Sequence, residues 1–435
     1  MANQLLQNYT KIIYGEPVEV LPEVNTIAEA LAFSQEYKTG DKYVCPIRMA
    51  DEQGFTYNAD HSGFPLKPPK DGNIQRAELE GSEIVGRAHI SYGNMSKLSE
   101  TNAESRKAYK QAVGDTIESV MNSAERRREL ALMYGPGPNP ASGAGAGPGA
   151  ANLGSVDTVV GTIAAGDTSG TVRISRATWA AGLWPLFRGA GFDFHSSGGT
   201  KLNTSELVLT GVVQSQNRLT FSGVAGEVNV SLVAGATISF AGSREVSCVG
   251  IEGILDNQGM LFNIDAAQFP QWKASTYPVT GPLTFDKVVE GLILPANNGL
   301  TTGGTLFLPN AAWTDCMTDE AALRRHVGSR MASSVKTGSS QLEFETNCGV
   351  VKLVTHPFMK QGQAWFIPTE YAKRVGSREL SFKLPGNPNE WFFKEVDGAA
   401  ASEIRCYGDQ APLIERPNLC VKYTGIASTG DNVPS

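Results

Sequence analysis

The residues of this chain best suited to chemistry are five histidines, six cysteines and a scatter of acidic pairs, and none falls in a spacing that performs it. His61, His89, His195, His326 and His356 stand apart. There is no H-E-x-x-H and no i, i+4 pair to set two imidazoles on one helix face for zinc. Cys45, Cys248, Cys316, Cys348, Cys406 and Cys420 form no C-x-x-C unit, so free buried thiols are expected rather than disulfides or metal ligands. No G-x-S-x-G elbow, no G-x-G-x-x-G after a strand and no acidic calcium loop occurs. The uncharged run Gly135 to Gly154 lacks the lysine and the preceding strand of a phosphate loop, and reads as a flexible linker. His356, before Pro357 at the end of a predicted strand, would suit a site rim but suits an ordinary strand end better. Asp319-Glu320 reads as solvated helix surface. No catalytic, cofactor-binding or metal-binding residue is assigned, and a non-enzymatic, structural or binding role is expected.

The charge balance points the same way. With 44 acidic and 37 basic residues the chain carries a formal charge of −7, so no global basic field draws it to nucleic acid. The basic run Arg126–Arg128 is flanked by Glu125 and Glu129 and is expected to be a solvated helix face. A length of 435 residues and 41% hydrophobic content allow two or three domains with real cores. No stretch approaches the roughly 20 apolar residues of a membrane span. Met1 to Lys11 lacks an apolar signal core, so a cytoplasm-like compartment is expected and Asn203-Thr204-Ser205 has no glycosylation meaning.

The elements that would carry any function are more informative. One long amphipathic helix is predicted from Thr101 to Tyr134, opened by a capping box at Thr101 and Glu104 and striped by Tyr109, Val113, Ile117, Val120 and Ala124. Gly135 and Pro136 close it. The stripe is too narrow for a coiled coil, so the helix should lie across something. Before it, residues 1–39 read as an arm with a short helix near Thr26 to Ala32. Residues 40–100 read as an extended hairpin, with strands Tyr43–Met49 and Glu83–Tyr92 around a Pro/Gly-rich tip. Such a hairpin buries little of itself and should lean on a neighbouring molecule. Deleting 55–80 is therefore expected to leave soluble subunits that do not assemble.

After the linker the character changes. Residues 155–250 hold only twelve charged residues, six of each sign, and short alternating runs punctuated by Gly, Asn and Ser. Strands are expected at Thr158–Ile163, Thr171–Ser175, Glu206–Val213, Arg218–Ser222, Glu227–Val233 and Ala236–Phe240, forming a small antiparallel barrel or sandwich. A helical piece near Trp179–Arg188 should pack Trp179, Trp184 and Phe187 in the core. Residues 251–435 read as mixed α+β. Helices are expected at Leu283–Leu294 and Ala311–Val327, and strands at Thr305–Leu308, Leu342–Glu345, Val350–Thr355, Gln363–Ile367, Glu390–Val396 and Leu419–Tyr423.

This order of parts resembles the major capsid protein of tailed bacteriophages, the Hong Kong 97-like fold. The best local matches are Ala124-Glu125-Arg126-Arg127-Arg128-Glu129-Leu130-Ala131-Leu132-Met133-Tyr134-Gly135 at the helix end and the strand–turn–strand within Gly349–Arg374. The resemblance implies an N-terminal arm (1–39), an extended E-loop (40–100), a spine helix (101–134), a linker (135–154), a β-rich insertion (155–250) and an axial and peripheral body (251–435). It implies self-assembly into hexamers and pentamers of an icosahedral shell in a virion, built in a host cytoplasm around double-stranded DNA. A scaffolding protein, a portal and a decoration protein are the implied partners; no cofactor, membrane or covalent cross-link is expected. Two other readings stand beside it. One is an encapsulin-like cellular shell. The other is a carbohydrate-binding or hydrolytic protein, which would need Trp179 or Trp184 on an exposed face.

Overall fold

The computed structural model describes residues 26–36, 38–39, 42–58, 63–91, 103–137, 152–318, 341–391, 393–395 and 401–429. Most of the arm and of the uncharged run, the Thr101–Glu104 cap, His61, His326, Asp319-Glu320 and the second half of the helix expected at 311–327 lie outside the described residues. The fold is α+β. It is built from two mixed sheets, a closed barrel, a hairpin and one long helix.

The long helix spans Ala103–Tyr134, which at 1.5 Å per residue is about 48 Å. Its tail is set by close approach. A Cβ on Gly135 would collide with the carbonyl oxygens of Cys248 and Ala131, and one on Gly250 would sit 2.5 Å from the Gly135 nitrogen. Only glycine lets the 247–250 loop pass over the helix end, where Gly250 N–H donates to Gly135 O at 2.9 Å. The apolar stripe is buried against the chain's own sheet. Ile117, Val120, Met121 and Ala124 pack on Leu380, Phe382, Ile404 and Cys406. The side chains of Tyr109 and Val113 lie outside the described residues.

That sheet centres on the fourteen-residue strand Ala401–Ile414. It pairs antiparallel with Ala372–Ser381, Phe393–Glu395 and Ser82–Ser91, and Ala32–Ser34 joins the far edge in parallel. Here the expected hairpin is corrected. The strand Lys42–Ala50 pairs not with 83–92 but with Asn73–Leu79, from Tyr43↔Leu79 to Ala50↔Asn73. Ser82–Ser91 instead forms a continuous ladder with Ala401–Gln410. Both segments alternate and both could pair locally. The longer ladder that also carries the long helix decides the partner, and local alternation does not encode it.

The second sheet has six strands, in the order Ser275–Gly281, Val421–Ile426, Gln363–Ile367, Gly304–Leu308, Gly349–Thr355, Gln341–Thr346. Helices Phe285–Asn297 and Asn310–Thr318 cover it, burying Leu283, Val288, Leu292, Leu306, Val351, Leu353 and Phe366.

The β-rich stretch closes into a six-stranded antiparallel barrel, in the order 218–222, 169–174, 154–160, 237–240, 191–195, 207–213 and back. Val172, Phe192, Phe194, Leu209, Leu219, Phe221 and Ile238 fill it. Two local expectations fail. Glu227–Val233 is not a strand. Val228–Ser231 forms a helical turn, and Val228 and Leu232, spaced i, i+4, cap the barrel end from inside. Of the piece near Trp179–Arg188 only Trp184–Phe187 is helical, a 3₁₀ turn with Pro185 near its start, where the ring blocks a helix running in from 179; a second 3₁₀ turn, Arg176–Thr178, precedes it. Trp179, Trp184 and Phe187 are core residues as expected, with the two indoles stacked at 6.2 Å.

Candidate functional site

Two places could do work: the tip of the hairpin and a polar junction beneath the long helix. Strands 42–50 and 73–79 root the hairpin in the core through Tyr43, Cys45, Met49, Ala77 and Leu79. Beyond Ala50 the chain leaves the body. Gln53 N–H donates to Lys70 O at 2.9 Å and closes the base of the tip. Outside that closure Phe55 is 68% exposed, Tyr57 93% and Leu66 78%, with Phe64 also exposed; Ile74, on the root strand, is exposed as well. One exposed leucine means little, but aromatic and aliphatic side chains gathered on one protrusion mark an interaction surface.

The junction lies where the long helix crosses the body. Glu129 is fully buried. Its Oε1 accepts the Ile27 N–H at 2.7 Å and its Oε2 the Ala28 N–H at 3.0 Å. His356, also fully buried, places Nε2 3.0 Å from the same Oε1. His356 Nδ1 accepts the Phe358 N–H at 3.1 Å, so the ring proton sits on Nε2 and is donated to Glu129. One carboxylate thus ties the 26–30 turn, the long helix and the strand end at 355 together. His356 is the expected strand end, but as a buried fastener rather than a rim.

One turn further along, Tyr134 donates its hydroxyl proton to Phe358 O at 2.9 Å and accepts the Lys360 N–H at 3.1 Å. The Lys360 ammonium lies 4.4 Å from the Tyr134 ring centroid and donates to Glu252 Oε2 at 2.6 Å. Gln363 donates to Glu252 Oε1 at 2.9 Å, and Lys422 bridges Glu252 at 3.6 Å and Asp256 at 2.6 Å. Two acids meet two lysines, with Glu252, Lys360 and Lys422 buried and Asp256 reaching toward solvent, so the cluster balances in formal charge. Burial alone would raise the Glu252 carboxyl, but Lys360 and Lys422, with the hydrogen bonds from Lys360 and Gln363, hold it below the ordinary carboxylate range. Burial holds the Lys360 ammonium below the ordinary lysine value, with Glu252 offsetting part of that.

The sign of the resulting pH dependence follows. A Glu252 carboxyl depressed in the folded state binds fewer protons than the unfolded chain at acid pH. Its stabilisation is present above the unfolded value and is lost as pH falls through the folded one. Urea midpoints measured from pH 7 to pH 3 should fall on the acid side, and Glu252→Gln should flatten that fall. The same variant should lose about 3–5 kcal/mol at pH 7, because it strands Lys360. Equal acid slopes in the two proteins would remove Glu252 from this role.

The basic run is not a solvated face. Arg126 is buried, and Arg127 lies over the barrel's Phe240 ring at 4.2 Å and 5.8 Å from Phe187, so it joins helix to barrel. His89 lies on an exposed strand face 3.5 Å from Glu403. His195 is buried on the barrel wall, with Nδ1 3.4 Å from Ser239 Oγ. That pair is not a hydrolytic relay. The neighbouring Asp193 carboxylate accepts from Gly242 N–H at 2.8 Å, Asn203 at 3.0 Å and Lys201 at 3.0 Å, and no hydrogen bond joins it to His195. All six cysteines are free and buried, and burial pushes the Cys248 and Cys406 thiols up to about 12 and about 11, which leaves them unreactive. Among the described residues no His, Cys, Asp and Glu group could hold a metal. No described helix is long and apolar enough to cross a membrane.

Sequence reasoning missed Glu129, Glu252, Lys360 and Lys422. Glu252 had a signal, as the one charge in the apolar helix Ile251–Leu255. Glu129 was masked by the neighbouring arginines.

No protein-family model and no curated protein matches the sequence. Solved structures align with nearly the whole chain. The capsid asymmetric unit of cyanophage A-1(L) is 10% identical with a TM-score of 0.49, covering 96% of this chain and 98% of its own. The capsid of Myoviridae phage XM1 is 5% identical with a TM-score of 0.43, over 96% and 97%. The holo-SrpI encapsulin complex from Synechococcus elongatus is 8% identical with a TM-score of 0.41, over 100% and 98%.

Proposed function

We propose that this chain is the major capsid protein of a tailed phage, a non-enzymatic subunit that assembles into the icosahedral head shell. The observation that carries it is the hairpin tip, where Phe55, Tyr57 and Leu66 stand in water beyond a root that is itself well buried. An apolar tip on an arm-like protrusion finds its burial on a neighbour, and a chain whose copies all carry one assembles. On this reading residues 42–58 and 63–79 belong to the E-loop, Ala103–Tyr134 is the spine, and the barrel is an insertion. The body beyond 251 supplies the axial and peripheral parts. A chain of charge −7 without an exposed basic run suits a shell that confines double-stranded DNA without gripping it. A scaffolding protein, a portal and a decoration protein would complete the particle, assembled in a host cytoplasm. The carbohydrate-binding alternative loses its requirement, because Trp179 and Trp184 are 1% and 0% exposed.

The test is electron microscopy and sedimentation of the overexpressed protein, alone and with a co-expressed scaffold. Closed shells of megadalton mass are expected. A monodisperse monomer or dimer under every assembly condition would overturn the reading, and shells that carry a protein cargo in place of DNA would move it to a cellular compartment.

A further inference from the structure

Between the long helix, the strand Ser82–Ser91 and the loop that follows the barrel lies a cavity of about 240 Å³ that opens to solvent. Arg127 lies in its wall against the Phe240 ring. Among the described residues no carboxylate comes within ion-pair distance of this guanidinium; Glu206 acts on it only from further off. Glu83 lines the same cavity but accepts the Tyr407 hydroxyl at 2.9 Å. The buried residues Ser82 and Ser239 also line it. At the rim stand two apolar side chains left in water, Val85 at 54% and Val246 at 74% exposure.

A largely desolvated cation with no ion-pair partner among the described residues, under an exposed apolar rim, is an unfinished contact. Pro136 and Asn152 both line the cavity, and residues 138–151 between them include no charged residue. We propose that the cavity receives an acidic side chain, with its flanking apolar residue, from a second copy of this chain. The excess of 44 acidic over 37 basic residues makes carboxylates the abundant partner on such a copy. The cavity wall Ser82–Ser91 also follows directly on the exposed hairpin, so the surface continues the one already assigned to assembly. The proposal rests on the shell-forming reading and adds a second, electrostatic contact to it.

Since all six native cysteines are buried, Val246→Cys introduces a selectively reactive thiol at the rim. Its maleimide reaction should be at least about tenfold slower in assembled shells than in dissociated subunits, as expected for a side chain moved into an interface. Arg127→Met keeps a stem against Phe240 without the charge. It should leave far-UV circular dichroism unchanged and weaken assembly about tenfold, whereas Arg127→Lys keeps most of it. Equal thiol reactivity in shells and subunits overturns this proposal and leaves the shell reading intact. Wild-type protein that never associates removes both. Protection of the thiol in dissociated subunits by added citrate would assign the cavity to a free anion and likewise overturn the proposal. If Arg127→Met does not fold, the thiol measurement decides by itself.

Discussion

Excising residues 54–69 and joining Gln53 to Lys70 through Asn-Gly should give a subunit that folds as before and forms no shells. The cut falls where the chain has already closed on itself, with Gln53 N–H bonded to Lys70 O. Asn-Gly is the two-residue turn that a hairpin's twist prefers. What remains keeps Tyr43, Cys45, Met49, Ala77 and Leu79 in the core, so thermal unfolding should shift little. What is removed includes Phe55, Tyr57, Phe64 and Leu66. At about 1.5–3 kcal/mol for each large apolar side chain buried, their loss takes on the order of 6 kcal/mol from every contact they make. That is about four orders of magnitude in its equilibrium constant. Sedimentation would read this as subunits in place of shells, and normal shells would mean the tip is not the clasp. The wider deletion of 55–80 is a poorer test than the sequence suggested. It removes the whole strand Asn73–Leu79, including Ala77 and Leu79 at 0% and 2% exposure, and should unfold the root.

Glu129→Ala should be the most destabilising change beneath the long helix. It strands three buried donors at once: Ile27 N–H, Ala28 N–H and His356 Nε2–H. Each orphaned group costs about 1–3 kcal/mol, so a loss of at least about 4 kcal/mol is expected, on the order of 4 °C in Tm for a chain of this size. Glu129→Gln retains one acceptor oxygen and should lose about half as much. The local consequence is sharper. The turn Thr26–Ala30 and the strand Ala32–Ser34 hang on this carboxylate, on the Arg374 Nε bond to Leu31 O and on a three-residue ladder. Hydrogen exchange over 27–34 should therefore accelerate far more than exchange in the barrel. A Glu129→Ala protein within about 2 °C of wild type, with 27–34 still protected, would show that the carboxylate fastens nothing.

Much of the architecture follows from local chemistry. The long helix was legible because stripe, Gly135 and Pro136 agree, and its observed end falls at Tyr134 as expected. Five of the six barrel strands were legible because alternation at short, Gly-punctuated spacing has few other uses; Gly191–His195 was not expected. Gln363–Ile367 was met residue for residue. The longest strand, Ala401–Ile414, was not legible. It carries Arg405, Gly408, Asp409 and Pro412, and tertiary pairing on both sides overrides its weak propensity. Val228 and Leu232 read as strand because their i, i+4 spacing is too short a run to be distinguished from alternation.

The sequence by itself determined the kinds of parts and their order: a long helix that must lie on something, a protruding hairpin, a low-charge barrel and an α+β body. The tertiary structure decided the pairings. It took Ser82–Ser91 from the hairpin into the sheet under the helix, and turned an arginine run from surface into a contact with the barrel. It also brought Glu129 to His356 and Glu252 to Lys360 across more than a hundred residues. The reason is physical. Periodicity and capping depend on neighbours within a few residues, whereas register and buried polar partners depend on which surfaces the whole chain has left to cover.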